Sequence, residues 1–302
     1  MSTPAPPADP SVAPPTALPT SKAALFARLI KVEHSVYALP FAYVGAFLAE
    51  QRLPSWSALF WITVAMVAAR SAAMALNRLI DAGLDARNPR TAARELPSGR
   101  LRRIEVVAFI VASLAVLVLA TLFLSPPCRY LWPIVVVAFI AYPYAKRYTA
   151  LCHYALGLTD GLAPAAAWVA VTGHAAAAPL LLFIAVGLWV GGFDVIYAIF
   201  DLEFDRREGI HSIPVSLGWR RSLLVALLSH VAAVVLLVVV GLVLGLDWLY
   251  YVGCLVSAVL LAWSHIDIAR RGLARVGMGF MTVNGVVGVV YGAFTIAAVV
   301  LS

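Results

Sequence analysis

The sequence predicts an all-α, polytopic membrane bundle, and three observations carry that prediction. Hydrophobic residues make up 63% of the 302-residue chain and charged residues only 12%, against roughly half and about a quarter in soluble domains. Apolar runs long enough to cross a hydrocarbon core of about 30 Å recur along its length. Basic residues, moreover, gather in alternate segments between those runs, as the positive-inside rule requires of a multi-pass protein.

Taken in order, residues 1–20 are rich in Pro, Ala and Ser, almost uncharged, and without the charged start and apolar stretch of a signal peptide. They are expected to form a disordered tail, with 21–302 making one intramembrane domain because no composition break divides it. Nine spans are expected, at 34–49, 57–79, 104–125, 131–145, 151–173, 178–200, 222–245, 248–266 and 277–301. Lys22, Arg28 and Lys31, the 78–103 segment, Lys146 and Arg147, Arg206, Arg207, Arg220 and Arg221, and Arg270, Arg271 and Arg275 fall on one side. The other side holds only Arg52 and Arg129. The N-terminus is therefore placed in the cytoplasm, the C-terminus outside, and the protein in the cell's inner membrane.

The net charge of +7 needs no nucleic acid to explain it, because its cations sit in short loops beside spans. Cys128, Cys152 and Cys254 are too few and scattered for a disulfide framework or a zinc site and read as small core residues.

The chain has only 15 Asp and Glu residues, and five of the Asp fall in two clusters at span ends. Positions i, i+4 and i+8 share a helix face, so Asn77, Asp81 and Asp85 form one row. Asp194, Tyr197, Asp201 and Asp205 form a second, in which Asp201 and Asp205 repeat Asp81 and Asp85 at an offset of 120 residues. Two pseudo-repeated half-bundles would produce that. Facing rows of carboxylates repel unless a cation lies between them. Mg²⁺ suits the arrangement, since it takes oxygen ligands and is usually completed by phosphate. Arg70 and Arg78 on the second span, the arginines of 87–103, and Lys146 and Arg147 supply the guanidinium and ammonium half of a diphosphate clamp. The polar segments 86–103 and 203–218 are long enough to cap the cytoplasmic mouth and exclude water.

A capped, lipid-embedded site for metal and diphosphate suits an isoprenoid diphosphate and prenyl transfer. The metal and arginines would stabilise the leaving diphosphate, and the allylic cation would attack an electron-rich acceptor. A secondary transporter is the rival reading, since intramembrane carboxylates also mark ion paths. Its sites, however, favour the bilayer midplane and interrupted helices.

These motifs resemble those of the UbiA superfamily of intramembrane prenyltransferases. Asn77-x3-Asp81-x3-Asp85 is similar to its first Asp-rich motif and Asp194-x2-Tyr197-x3-Asp201-x3-Asp205 to its second. The stretches IKVEHSVYALPFAYVGAF (30–47), YPYAKRYT (142–149) and GFDVIYAIFDLEFDRREGIHSIPVSLG (192–218) resemble the 4-hydroxybenzoate polyprenyltransferase group, which makes quinone precursors. The resemblance implies nine helices, two cytoplasmic caps, and Mg²⁺-diphosphate held by Asn77, Asp81, Asp85, Asp201 and Asp205. Arg70, Lys146 and Arg147 would lie near phosphate or acceptor carboxylate, and Asp194 would handle an aromatic hydroxy-acid acceptor, with Arg147 reading its carboxylate. Arg78 stands where many hydroxybenzoate enzymes have Asp. That form resembles a branch whose acceptor is a dihydroxynaphthoate, in menaquinone synthesis.

Asp160 reads either as a helix-interrupting residue or as a partner of the site. His34 reads as an interfacial or packing residue, His153, Tyr154 and His265 as ordinary interface groups, and Asn284 as a hydrogen bond between helices.

Overall fold

The computed structural model describes residues 21–272 and 279–302, without the side chains of 32–38 and 273–282. The tail 1–20, the His34 side chain and Arg275 therefore lie outside the described residues. The elements are α1 Lys22–Leu29, α2 Val32–Glu50, α3 Trp56–Arg87, α4 Arg103–Thr121, α5 Cys128–Ala145, α6 Cys152–Thr172, α7 Ala177–Ala198, a 3-10 turn Ile199–Asp201, α8 Leu202–Arg207, α9 Ile213–Leu244, α10 Trp248–Arg271 and α11 Gly279–Leu301. No strand occurs among the described residues.

Among the described residues eight helices are long and apolar enough to span a bilayer: α3, α4, α5, α6, α7 with its continuation through α8, α9, α10 and α11. The chain is a polytopic membrane protein. The remaining expected span, 34–49, falls on α2, of which Leu39–Glu50 is a shorter apolar helix; nine spans are thus not reached among the described residues. Val111, Val137, Leu228 and Val259 point outward and exposed, a costly surface in water and a suitable one in lipid.

Neighbouring spans pack in chain order, and α11 closes the ring against α2, which also packs on α6. Backbone proximity makes these contacts. A Cβ at Gly157 of α6 would sit 2.1 Å from the Gly187 carbonyl oxygen of α7, and one at Gly45 of α2 would sit 2.1 Å from that of Pro164. Small residues at such crossings let helix backbones touch where lipid offers no hydrophobic drive. Gly157→Ala is expected to cost about 1–3 kcal/mol by overpacking, read as a lower melting temperature in detergent. Gly83→Ala, where a Cβ meets nothing within 4 Å, is the control that leaves the melting temperature unchanged or raised.

Ser55 caps α3, its hydroxyl accepting from the Ala58 N–H. The helix then runs 32 residues, about 48 Å at 1.5 Å per residue, against a core of about 30 Å. The overhang carries Asn77, Asp81 and Asp85. The second acidic row differs from expectation. It does not continue one α-helix, because the chain tightens into the 3-10 turn at Ile199–Asp201, so Asp201 and Asp205 leave the face that unbroken α geometry would give them.

Both expected caps are present. Residues 88–102 fold as consecutive turns, and α8 with the following strap supplies the second. Gly218, at φ 75° and ψ 164°, interrupts α9 near its start. That conformation is open to glycine at little cost, and it separates the short helical segment after Ser212 from the span proper.

Candidate active site

A cavity of about 670 Å³ is lined by α2 through α8 and by the two caps. Every predicted site residue except Arg147 lines it. One end is polar; Leu117, Leu124, Leu131, Ile134 and Val135 make the apolar remainder.

At the polar end Asp81, Asp85 and Asp201 are each held by a cation. Asp81, almost fully buried, accepts from Lys146 Nζ at 2.5 Å and from Asn77 Nδ2 at 3.3 Å, both on Oδ2. Its Oδ1 is buried without a hydrogen bond, and Arg147 Nη2 stands 3.8 Å away. Arg147 instead donates to the Ile80 carbonyl at 3.1 Å and lies over the Tyr144 ring. Arg94 Nη1 donates to both oxygens of Asp85 at 2.7 and 2.8 Å. Asp201 accepts from Arg90 through Nε at 2.9 Å and also through Nη2, and from Asn88 Nδ2 at 3.2 Å. Arg90 Nη1 further donates to the Tyr197 hydroxyl at 2.5 Å. Asp205 and Arg78 are buried.

The 88–102 cap thus carries one arginine to each acidic row. Burial works against the charge on Arg90, but its hydrogen bonds and attraction to Asp201 and Tyr197 outweigh that and raise its pKa. Among the described residues no three His, Cys, Asp or Glu side chains are gathered closely enough to hold a metal on their own. The carboxylates share a cavity but are partitioned among cations.

Deeper in the cavity lies a second polar group. Arg70 Nη1 is 4.0 Å from Asp160 Oδ1, and Arg70 Nε is buried without a hydrogen bond. α6 runs unbroken through Asp160, so this acid does not interrupt a helix; it is the anionic partner a lone intramembrane arginine needs. Asp194 Oδ2 is 2.7 Å from His153 Nδ1.

The profile of the UbiA prenyltransferase family matches residues 38–299. The chain belongs to the UbiA prenyltransferase family. Among curated proteins it is similar to the 4-hydroxybenzoate octaprenyltransferase of Aliivibrio fischeri strain MJ11, 30% identical over 274 residues, covering 90% of this chain and 95% of that protein. The protein of the same name from Marinobacter nauticus is 33% identical over 262 residues, with 84% and 88% covered. Among solved structures, a UbiA homologue from Aeropyrum pernix K1 superposes with a TM-score of 0.81 at 32% identity, covering 88% of this chain and 98% of that one. A UbiA homologue from Archaeoglobus fulgidus, solved with DMAPP and Mg²⁺, has the same fold at a TM-score of 0.70 and 18% identity, with 91% and 98% covered.

This UbiA-family chain is accordingly a prenyltransferase, and the transporter reading falls. Sequence reasoning missed Asn88, which reaches Asp201, and set His153 aside as an interface group. The signal for His153 was a lone imidazole within a span. Trp189 donates to Asn284 at 3.2 Å, the expected bond between helices, whereas Tyr154, bonded to Ser229 at 2.6 Å, and His265, bonded to His230 at 2.9 Å, join helices where interface groups were expected. Cys128, Cys152 and Cys254 are free thiols, the last two buried.

Proposed function

We propose that the protein transfers a polyprenyl group from a polyprenyl diphosphate to 4-hydroxybenzoate with Mg²⁺, making a ubiquinone precursor on the cytoplasmic side of the inner membrane, N-terminus inside. The observation that carries this is the single cavity with two carboxylate rows and their arginines at one end and an apolar wall beyond. The names of the relatives support the acceptor, and the ligands of the Archaeoglobus homologue support metal and diphosphate.

The residues fit Mg²⁺. The donors are oxygens, Asp81 Oδ1 is buried without a bond, and phosphate oxygens would complete the shell. Asp81, Asp85, Asp201 and Asp205, with Asn77, would hold the ion, which supplies Lewis-acid stabilisation of the departing diphosphate. Lys146, Arg78, Arg90 and Arg94 neutralise diphosphate oxygens as the allylic C–O bond breaks. The apolar wall takes the prenyl tail, and the caps keep water from the allylic cation. Arg70 reads the acceptor carboxylate in preference to Arg147, because it lines the cavity with an unbonded Nε, whereas Arg147 is engaged with Ile80 and Tyr144 outside it. Asp194 orients the acceptor hydroxyl. The acceptor ring carbon forms the new C–C bond, and the ring proton leaves.

Arg78 supports a second acceptor, a dihydroxynaphthoate, through the motif it shares with that branch. Membranes containing the protein, given Mg²⁺ and a polyprenyl diphosphate, are expected to prenylate 4-hydroxybenzoate, to stop with EDTA and to recover with added Mg²⁺. Product from the naphthoate alone moves the protein to menaquinone synthesis. EDTA-resistant turnover overturns the metal assignment.

A further inference from the structure

Asp194 and His153 come from different spans, α7 and α6, and meet in the cavity wall. The imidazole is buried, 3% exposed, while Asp194 keeps 25% exposure. Its other nitrogen, Nε2, is 3.3 Å from the backbone N–H of Ile213. A backbone N–H only donates, so Nε2 accepts, and in the neutral ring Nδ1 then carries the proton and donates to Asp194 Oδ2. Two bonds fix the tautomer, the ring plane and one oxygen of the carboxylate together.

Ile213 is no neutral anchor. It is the first residue of α9, directly after the strap from α8, and this junction is docked at three places. The His211 N–H donates to the Lys146 carbonyl at 2.8 Å, the Cys152 thiol to the His211 carbonyl at 3.4 Å, and Ile213 to His153. Ile210 and Ser212 of this strap line the cavity. A satisfied strap N–H would need only some acceptor. A group that accepts on one side and donates to a cavity-facing carboxylate on the other transmits position as well.

We propose that His153 is a positioning residue for acceptor prenylation, holding the Asp194 carboxylate in one orientation with a proton that the docked strap keeps on Nδ1. The inference rests on the reading that Asp194 serves the acceptor. When the strap is seated, the Ile213 N–H selects the tautomer that points a proton at Asp194 Oδ2, leaving the rest of the carboxylate to meet the acceptor hydroxyl.

Steady-state kinetics of the full-length protein in nanodiscs, with Mg²⁺, a polyprenyl diphosphate and 4-hydroxybenzoate, test this with four variants. His153→Asn places an amide N–H where Nδ1 was and keeps the bond to Asp194. His153→Gln reaches Ile213 with its carbonyl but has no donor at the Nδ1 position. His153→Gln is expected to lower acceptor kcat by about 10- to 100-fold, as loss of an orienting partner does, with KM for the prenyl diphosphate unchanged. His153→Asn is expected to stay within about threefold of the parent, and His153→Gln combined with Asp194→Asn to be no slower than Asp194→Asn alone, because coupled residues are non-additive. Asp194→Asn at the parental rate overturns the reading of Asp194 and this inference with it. A slow Asp194→Asn beside a His153→Gln at the parental rate, or additive losses in the double variant, overturns this inference alone. If His153→Gln does not accumulate in membranes, His153→Asn decides: a loss beyond threefold refutes the proposal.

Discussion

Asp81→Asn is expected to lower kcat for prenyl transfer by about 10²–10³, the loss that follows removal of one group stabilising developing charge. Asp81 is the most deeply set of the acids, with Lys146 and Asn77 on Oδ2 and a bare Oδ1. The amide keeps the size and one acceptor oxygen but removes the charge that would attract a divalent cation. Half-saturation should move to higher Mg²⁺, and diphosphate release should fall with product formation. Because Lys146 is 28% exposed, it can rehydrate, so folding survives. A variant that turns over at the parental rate in membranes at low millimolar Mg²⁺ would remove Asp81 from the metal set.

Arg70→Leu carries the second large effect, and it separates acceptor from donor. Truncating one member of a buried, hydrogen-bonded charge pair costs about 2–5 kcal/mol, or roughly 30- to several-thousandfold at 1.4 kcal/mol per decade. The loss is expected in kcat/KM for 4-hydroxybenzoate. A phenol of similar size lacking the carboxylate should be affected far less, so the preference between the two collapses. Asp160 loses its counter-charge in this variant, and Arg70→Leu with Asp160→Asn restores neutrality should the single change impair insertion. If discrimination against the phenol persists in Arg70→Leu and vanishes in Arg147→Leu, the carboxylate belongs to Arg147.

Most of the architecture was legible because lipid imposes one rule on every span: apolar length. The places where that rule was silent are specific. The run ending at residue 79 was broken by Asp81 and Asp85, although α3 continues to Arg87; hydropathy stops at the interface while hydrogen bonding does not. The i, i+4 spacing of Asp201 and Asp205 matches that of Asp81 and Asp85, yet one pair rides an α-helix and the other leaves a 3-10 turn. Spacing alone carries no dihedral angles. All the predicted acids did converge on one cavity, since charge in a span has few other reasons to exist. The pairing of Arg90 with Asp201 and of His153 with Asp194 joins residues 111 and 41 positions apart. Such partners are set by how helices cross, which depends on glycines such as Gly157 and not on any local pattern.

The overhang of α3 works as a ruler. Arg70 and Asp81 stand on one uninterrupted helix, eleven residues apart and so about 16 Å along its axis at 1.5 Å per residue. With the roles proposed above, the gap between the acceptor anchor and the diphosphate end would be written in helical pitch. A one-residue insertion between them would lengthen it by about 1.5 Å and swing one end about 100° around the axis, pointing it out of the cavity. If Arg70 anchors the acceptor, fitting a different aromatic acceptor would then call for exchanging side chains along this fixed scale and not for changing the chain length between the two marks.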